Sequence, residues 1–368
     1  MRLRTTRLRW ILLLVVLVVT CLLLFSQPSN ANFVSDDWDW LWASHNQGIW
    51  PSLLTNYTGG RSGGSYNPMS SLWINILYRT AGPMPQPYHI ASIVLHAVNA
   101  WLVAVLAFLW MRRARFSAAV LAGVLFFVWP THVEAINWIS SAPHLLATFF
   151  FLAAIIFYLK SRESGHPVFF VVSCVSALLA FFSKETAISL PLILFFSEIG
   201  HQFAARKFVA RRYVLAVVIL LEALLFMVMR NGATQLWFSA YADEQLIVRP
   251  AVWAHTFFTF FEEMLTLGVL RVPWSAFFFQ KPALGIITGL FALGVLVYIL
   301  RRLSIRDAAL ALVLFLITLA PFIPLGFNRL SQEGERYTYL PSVFFILLLS
   351  LVLARLRRSG LILSLIHI

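Results

Sequence analysis

The sequence predicts an all-α polytopic membrane protein, a bundle of about ten transmembrane helices with one unusually long outer loop. Three observations carry this. Of 368 residues 60% are hydrophobic and only 12% charged; apolar runs recur from one end to the other; and lysines and arginines fall in short blocks between those runs. The formal charge of +13 sits in those blocks, as the positive-inside rule requires, and this pattern argues against nucleic acid as a partner. Cys21 and Cys174 both lie inside apolar segments, so neither a disulfide framework nor a cysteine-based metal site is available.

Crossing the roughly 30 Å hydrocarbon core takes about 17 to 25 apolar residues, fewer where flanking groups snorkel. The runs that qualify are 10–26, 88–111, 117–136, 144–159, 167–182, 187–200, 213–229, 283–300, 307–326 and 339–354. The first follows Arg2, Arg4, Arg7 and Arg9 and reads as a retained anchor, although Ser29-Asn30-Ala31 loosely resembles a leader cleavage site. Further basic blocks lie at Arg112, Arg113 and Arg115; Lys160 and Arg162; Arg206, Lys207, Arg211 and Arg212; Arg301, Arg302 and Arg306; and Arg355, Arg357 and Arg358. They share one side, which should be cytoplasmic and hold both termini. Val252 to Leu270, with Glu262 and Glu263, would invert that order if it crossed, so it reads as a re-entrant or interfacial helix on the outer side. Residues 1–358 are then one transmembrane domain, 31–87 its long first outer loop, and 359–368 a short tail that could be truncated. Trp38, Trp40, Trp42, Trp50 and Trp73 suit interfacial helices in that loop, and Gly59 to Gly64 is its flexible stretch.

This topology collects the polar candidates at the outer face. Asp36 and Asp37 are adjacent carboxylates just past the first span, costly there unless used. One of them could accept the proton of an acceptor hydroxyl during an inverting transfer; the alternative is that both cap an interfacial helix. His132, Glu134 and His144 flank the third and fourth spans and could hydrogen-bond a polar substrate. With an aspartate they could instead hold a divalent Mn or Mg ion, but no metal-ligand spacing is present and no cofactor is expected. Lys184 and Glu185 stand between two short apolar helices, where the lysine would favour a phosphate and the bland reading is a local ion pair. Arg329, Glu335, Arg336 and Tyr339 precede or enter the last span, with Arg336 offering a planar fork to phosphate oxygens. Asn56-Tyr57-Thr58 matches a glycosylation acceptor triplet and is set aside as a chance match.

Taken in order, Asp36-Asp37, Thr131-His132-Val133-Glu134-Ala135 with Trp138-Ile139-Ser140, Ser183-Lys184-Glu185-Thr186, and Glu335-Arg336-Tyr337-Thr338-Tyr339-Leu340-Pro341-Ser342 resemble the GT-C glycosyltransferases. They are most similar to the membrane part of the transmembrane and tetratricopeptide-repeat-containing (TMTC-like) O-mannosyltransferases and their prokaryotic relatives. The resemblance implies a GT-C-like bundle and an inverting membrane glycosyltransferase that takes a sugar, with mannose one candidate, from a polyprenyl-phosphate donor on the outer or lumenal face. It implies Asp36 or Asp37 as general base, with Lys184 and Arg336 near the donor phosphate. Trp129-Pro130 stands where relatives often have His-Pro, and Ser141-Ala142-Pro143-His144 replaces a Gly-Arg-x-Asp-like stretch, so His144 would stand in for an arginine. No tetratricopeptide repeat follows Arg358, which leaves glycan, lipid or protein as the acceptor. The expected setting is a bacterial or archaeal cell membrane, with membrane lipids as the surroundings. A lipid or small-solute transporter or flippase without transferase activity is the competing class; it would place its ionisable residues near the bilayer midplane, where Glu222 is the main candidate.

Overall fold

The computed structural model describes residues 2–24, 31–54, 66–110, 116–235, 305–325 and 334–356, together with residues 237, 253, 256, 257, 259, 260 and 264. Arg329, the 283–300 span, nearly all of the 252–270 segment, Gly59 to Gly64, the 56–58 triplet and the 359–368 tail lie outside these. Among the described residues every regular element is helical. In chain order they are α1 (Arg2–Leu24), α2 (Asp37–Asn46), α3 (Ile49–Leu54), α4 (Pro68–Ala81), α5 (Pro85–Trp110), α6 (Phe116–Phe127) and α7 (Val133–Asn137). There follow α8 (Ala142–Ser164), α9 (Pro167–Ser183), α10 (Leu190–Ala205), α11 (Val214–Thr234), α12 (Ile305–Leu319) and α13 (Tyr339–Leu356).

Among the described residues, five helical stretches are long and apolar enough to cross a membrane: Pro85–Trp110, Ile139–Ser164, Glu185–Ala205, Ala210–Thr234 and Glu335–Leu353. A sixth is the pair Phe116–Phe127 and Pro130–Asn137, bent by 52°. Leu8–Leu24, Pro167–Ser183 and Ala309–Ile323 are apolar but shorter. The predicted count of ten therefore rests on the sequence alone.

Which helices face lipid follows from where their apolar side chains point. α11 exposes Val217, Leu220, Leu221, Leu224, Leu225 and Val228, and α1 exposes Leu12, Val15, Val16 and Val19, so both lie on the perimeter. α5 and α8 are buried along most of their length and form the centre. α5 packs against α6, both carrying buried small residues, Ala97, Ala100, Ala104 and Ala107 on one and Ala119, Ala122 and Gly123 on the other, and Gly123 sits against Ala100 and Ala104. A Cβ on Gly123 would come within 2.8 Å of the Ala100 carbonyl oxygen, so the close approach that drives helix association in lipid requires glycine there. α8 ends on Gly165 at φ 69° and α9 restarts at Pro167 in its first turn, a left-handed cap followed by a residue that needs no N–H, which makes the tight reversal between them.

α2, α3 and α4 belong to the long loop. Trp38, Trp42 and Trp50 are exposed, while Trp40 packs with Phe33, Leu41, Ile74, Tyr88, Ile139 and Ala142 in a small aromatic cluster beneath α2. That cluster seats the acidic turn on the end of the bundle where α8 begins.

Candidate active site

The acidic turn is strained. Ser35 has φ 47°, in the left-handed region that side chains with a Cβ disfavour, and outliers of this kind gather at functional sites. The bend sends the two aspartates to different surroundings. Asp37 is buried: its Oδ2 accepts from the Val34 amide at 3.0 Å, and its Oδ1 accepts from the Ser140 amide at 2.8 Å and from the Ser140 hydroxyl. Burial raises the Asp37 carboxyl above the usual range, opposed by the Ser140 hydroxyl, the amides of Val34 and Ser140, and the charge of His89. Asp36 is only half-buried. It occupies the N-cap position of α2 without capping through its side chain, and its Oδ1 accepts from the Ser35 hydroxyl at 3.3 Å. Asp37 thus fastens the turn to the segment before α8, and Asp36 is the more accessible carboxylate.

Two residues upstream of Ser140, the Trp138 ring carries the Arg336 guanidinium at 4.5 Å. Arg336 Nη1 donates to Glu134 Oε1, its Nη2 donates to the Tyr337 hydroxyl at 3.2 Å, and its backbone amide donates to Glu134 Oε2 at 2.7 Å. The Gly334 amide adds a bond to the same carboxylate at 3.3 Å. Glu134 therefore grips the stretch of chain leading into α13, and Arg336 is held flat between a carboxylate and two rings. Glu335, beside it, is half-buried and its carbonyl accepts from the Thr338 hydroxyl at 2.8 Å.

The bend between α6 and α7 has a local cause. Pro130 lacks an N–H and cannot continue α6, which frees carbonyls at membrane depth. His132 Nδ1 takes the Phe126 carbonyl at 3.0 Å and His96 Nε2 takes that of Phe127 at 3.1 Å. A carbonyl can only accept, so in a neutral imidazole the other nitrogen of His96 accepts, and the Tyr339 hydroxyl donates to it at 2.8 Å. Asn99 donates to the same hydroxyl at 3.2 Å, and His132 Nε2 lies 2.8 Å from the Ser342 hydroxyl. His132 and Tyr339 are fully buried, and these bonds join the start of α13 to the bend.

Lys184 and Glu185 form an ion pair at 3.2 Å. Asn67, with its amide nitrogen turned to the carboxylate, donates to Glu185 Oε2 at 3.1 Å, and the Ser70 hydroxyl donates to the Ser183 carbonyl at 2.8 Å, which binds the long loop to the end of α9. His144 is buried on the first turn of α8 against the rings of Phe322 and Tyr337, within the electrostatic reach of both Lys184 and Arg336. Among the described residues, Asp37 of the acidic turn bonds Ser140, Trp138 carries Arg336, and His144 lies within electrostatic reach of Arg336 and Lys184, so these predicted residues gather at one end of the molecule; Arg329 lies outside the described residues.

Three buried polar atoms of the turn before α8, Asn137 Oδ1, Trp138 Nε1 and Ser141 Oγ, have no hydrogen-bond partner among the described residues. Buried polar atoms left open beside charged groups fit a polar ligand. Among the described residues no group of three or more His, Cys, Asp or Glu could hold a metal ion, and the nitrogens of His132 and the carboxylate of Glu134 are committed to protein partners. His96, Asn99, Asn67 and Ser140 join the cluster, although none of them stands out in the sequence as a site residue. For His96 and Asn99 a signal was present: polar residues three apart on one face of an otherwise apolar span.

Helices alone among the described residues, five or six of them long and apolar enough to cross a membrane, define the class: a multi-pass membrane protein, here with a strained acidic turn and paired charges gathered at one end. No family model matches the chain. It is similar to the protein O-mannosyl-transferase Tmtc1 of Drosophila melanogaster, 31% identical over 182 residues, covering 46% of this chain and 21% of that protein. It is 30% identical over 108 residues to the human protein O-mannosyl-transferase TMTC3, covering 29% and 12%. With the protein O-mannosyl-transferase F38B6.6 of Caenorhabditis elegans the identity is 25% over 313 residues, covering 79% and 43%. The matches span less than half the length of these relatives. All three are animal proteins and lend no support to a prokaryotic origin.

Proposed function

We propose that the chain is a membrane glycosyltransferase that moves a sugar, mannose foremost, from a polyprenyl-phosphate donor to an acceptor hydroxyl with inversion. Asp36 acts as the general base and Asp37 as the residue that positions it. The observation that carries this reading is that one short turn, residues 137–141, bonds the acidic turn through Ser140, carries Arg336 on Trp138 and leaves three buried polar atoms open between them. The names of the relatives supply the reaction class. In this reading the acceptor hydroxyl gives its proton to Asp36 as its oxygen attacks the sugar carbon, and the bond from that carbon to the lipid phosphate breaks. Negative charge grows on the departing phosphate, where Lys184 and the oriented Arg336 stabilise it. A groove of about 470 Å³ along α5, lined by Trp73, Ile90, Val94, Val98 and Phe149 among others, would suit a hydrocarbon chain beside the site. The relatives are named for protein acceptors, so a serine or threonine hydroxyl is the first acceptor to test.

The test is transfer of mannose from polyprenyl-phosphate mannose in membranes carrying the chain. Asp36→Asn should lower turnover by about 10² to 10⁴-fold with membrane insertion intact, because charge is removed with little change of size. Lys184→Ala should chiefly weaken donor use. Full turnover by Asp36→Asn, Asp37→Asn and the double variant would end the proposal, and movement of lipid across the bilayer without transfer would favour the transporter.

A further inference from the structure

The opposite end of α8 carries a different construction. Between α10 and α11 the chain reverses through residues 206–213, and four cations in this stretch, Arg206, Lys207, Arg211 and Arg212, are all exposed. Phe203 and Phe208 are each 76% exposed, among the most exposed large hydrophobic side chains of the described protein. The hairpin is nonetheless built rather than loose. Gln202 clasps it through both polar groups of one residue: its amide nitrogen donates to the Val209 carbonyl at 3.1 Å, and its Oε1 accepts from the Val209 amide at 2.8 Å. The same nitrogen donates to Glu198 Oε1 at 2.9 Å, and Glu198, 1% exposed, also accepts from Arg162 at 2.8 Å and Tyr158 at 2.7 Å. The reversal places a non-glycine residue in the left-handed region, Arg206 at φ 48°. Phe208 rests against the Tyr213 ring, 6.0 Å away, so its outward placement is held from behind.

A fixed frame that points two phenyl rings and four positive charges away from the protein matches a membrane interface: rings favour the acyl boundary, and cations just above it meet headgroup phosphates. Glu198, the one carboxylate of residues 198–213, is consumed inside, so the outward face keeps its positive charge. We propose that the 203–213 hairpin is a binding site for the headgroups of anionic phospholipids, with Phe203 and Phe208 in the acyl boundary and Arg206, Lys207, Arg211 and Arg212 gathering the phosphates. This stands apart from the transferase reading, since it concerns the other end of the bundle and needs no turnover.

The experiment measures retention of phosphatidylglycerol against phosphatidylcholine on the purified full chain in detergent, by native mass spectrometry, with protein integrity checked by circular dichroism and gel filtration. The wild-type chain should retain phosphatidylglycerol preferentially. Replacing Arg206, Lys207, Arg211 and Arg212 together by Gln should lower that preference at least tenfold, given about fivefold per cation at an anionic surface with partial redundancy. Gln202→Leu keeps every cation but releases the clasp, and should lower the preference about threefold or more. Equal preference in the fourfold variant would overturn the site. So would full preference in Gln202→Leu, since charge alone would then suffice without the frame. Selective capture of an acidic peptide with no preference between the lipids would overturn it in favour of a protein partner.

Discussion

The two ends of α8 use the same materials, a carboxylate and an arginine, in opposite ways. At its N-terminal end the partners come from far along the chain: Asp37 and Ser140 are 103 residues apart, Glu134 and Arg336 are 202, His132 and Ser342 are 210. At its C-terminal end the same helix is tied by shorter-range bonds, Arg162 and Glu198 being 36 residues apart and Tyr158 and Glu198 40, and the partner helix α10 clasps its own hairpin through Gln202 and Val209, only 7 apart. A helix of 23 residues, about 34 Å long at 1.5 Å per residue, separates them. Loop closure favours the local end forming early, as adjacent helices pair. The distant end completes only when α13 docks, so the candidate chemistry exists only in the fully packed bundle.

Removing Glu134 should therefore have the largest effect on stability. Glu134→Ala takes away the partner of Arg336 and the acceptor of the Gly334 and Arg336 amides at once. Breaking one side of such a pair, both members of which are largely buried, costs about 3 kcal/mol or more, and thermal unfolding in detergent should show it. Glu198→Gln should cost less, about 1 to 2 kcal/mol. It keeps one carbonyl oxygen, able to accept from Tyr158 or from the Gln202 amide but not from both, since these bond different oxygens of Glu198, and the released Arg162 can extend its charge to water at the basic rim. If Glu198→Gln proved the more damaging of the two, the contrast between a long-range staple and a local clasp would fail.

The same contrast separates what is legible in the sequence from what is not. Apolar runs disclose the helices because lipid forces each spanning segment to satisfy its own backbone, and Lys184 and Glu185 are visible as a pair because they are neighbours. The 117–136 run reads as one span, whereas Pro130 bends it by 52°. What stays hidden is pairing at a distance. Nothing along α5 says that His96 and Asn99 share the Tyr339 hydroxyl more than 200 residues away, or that Ser140 rather than a metal or substrate meets Asp37. The division of labour between Asp36 and Asp37 is open in the sequence for the same reason: it depends on the φ of Ser35 and on which carboxylate finds Ser140.

That division gives the smallest and most selective effect. Burial lifts the Asp37 carboxyl above its ordinary range, so its folded-state pKa exceeds its unfolded value of about 4. A group shifted in this sense adds stability that is fully present below the unfolded value and is lost as pH rises through the raised one. Wild-type unfolding temperature should accordingly fall over that window relative to Asp37→Asn, with a slope smaller than either ion-pair effect. Turnover follows a different rule, because the acid limb of its pH profile belongs to whichever carboxylate receives the acceptor proton. With Asp36 as the base, Asp37→Asn changes the stability profile and lowers turnover through the displaced turn, yet leaves that acid limb in place, whereas Asp36→Asn removes it. An acid limb that vanished only in Asp37→Asn would exchange the two roles, making the buried aspartate the base and the half-buried one its support.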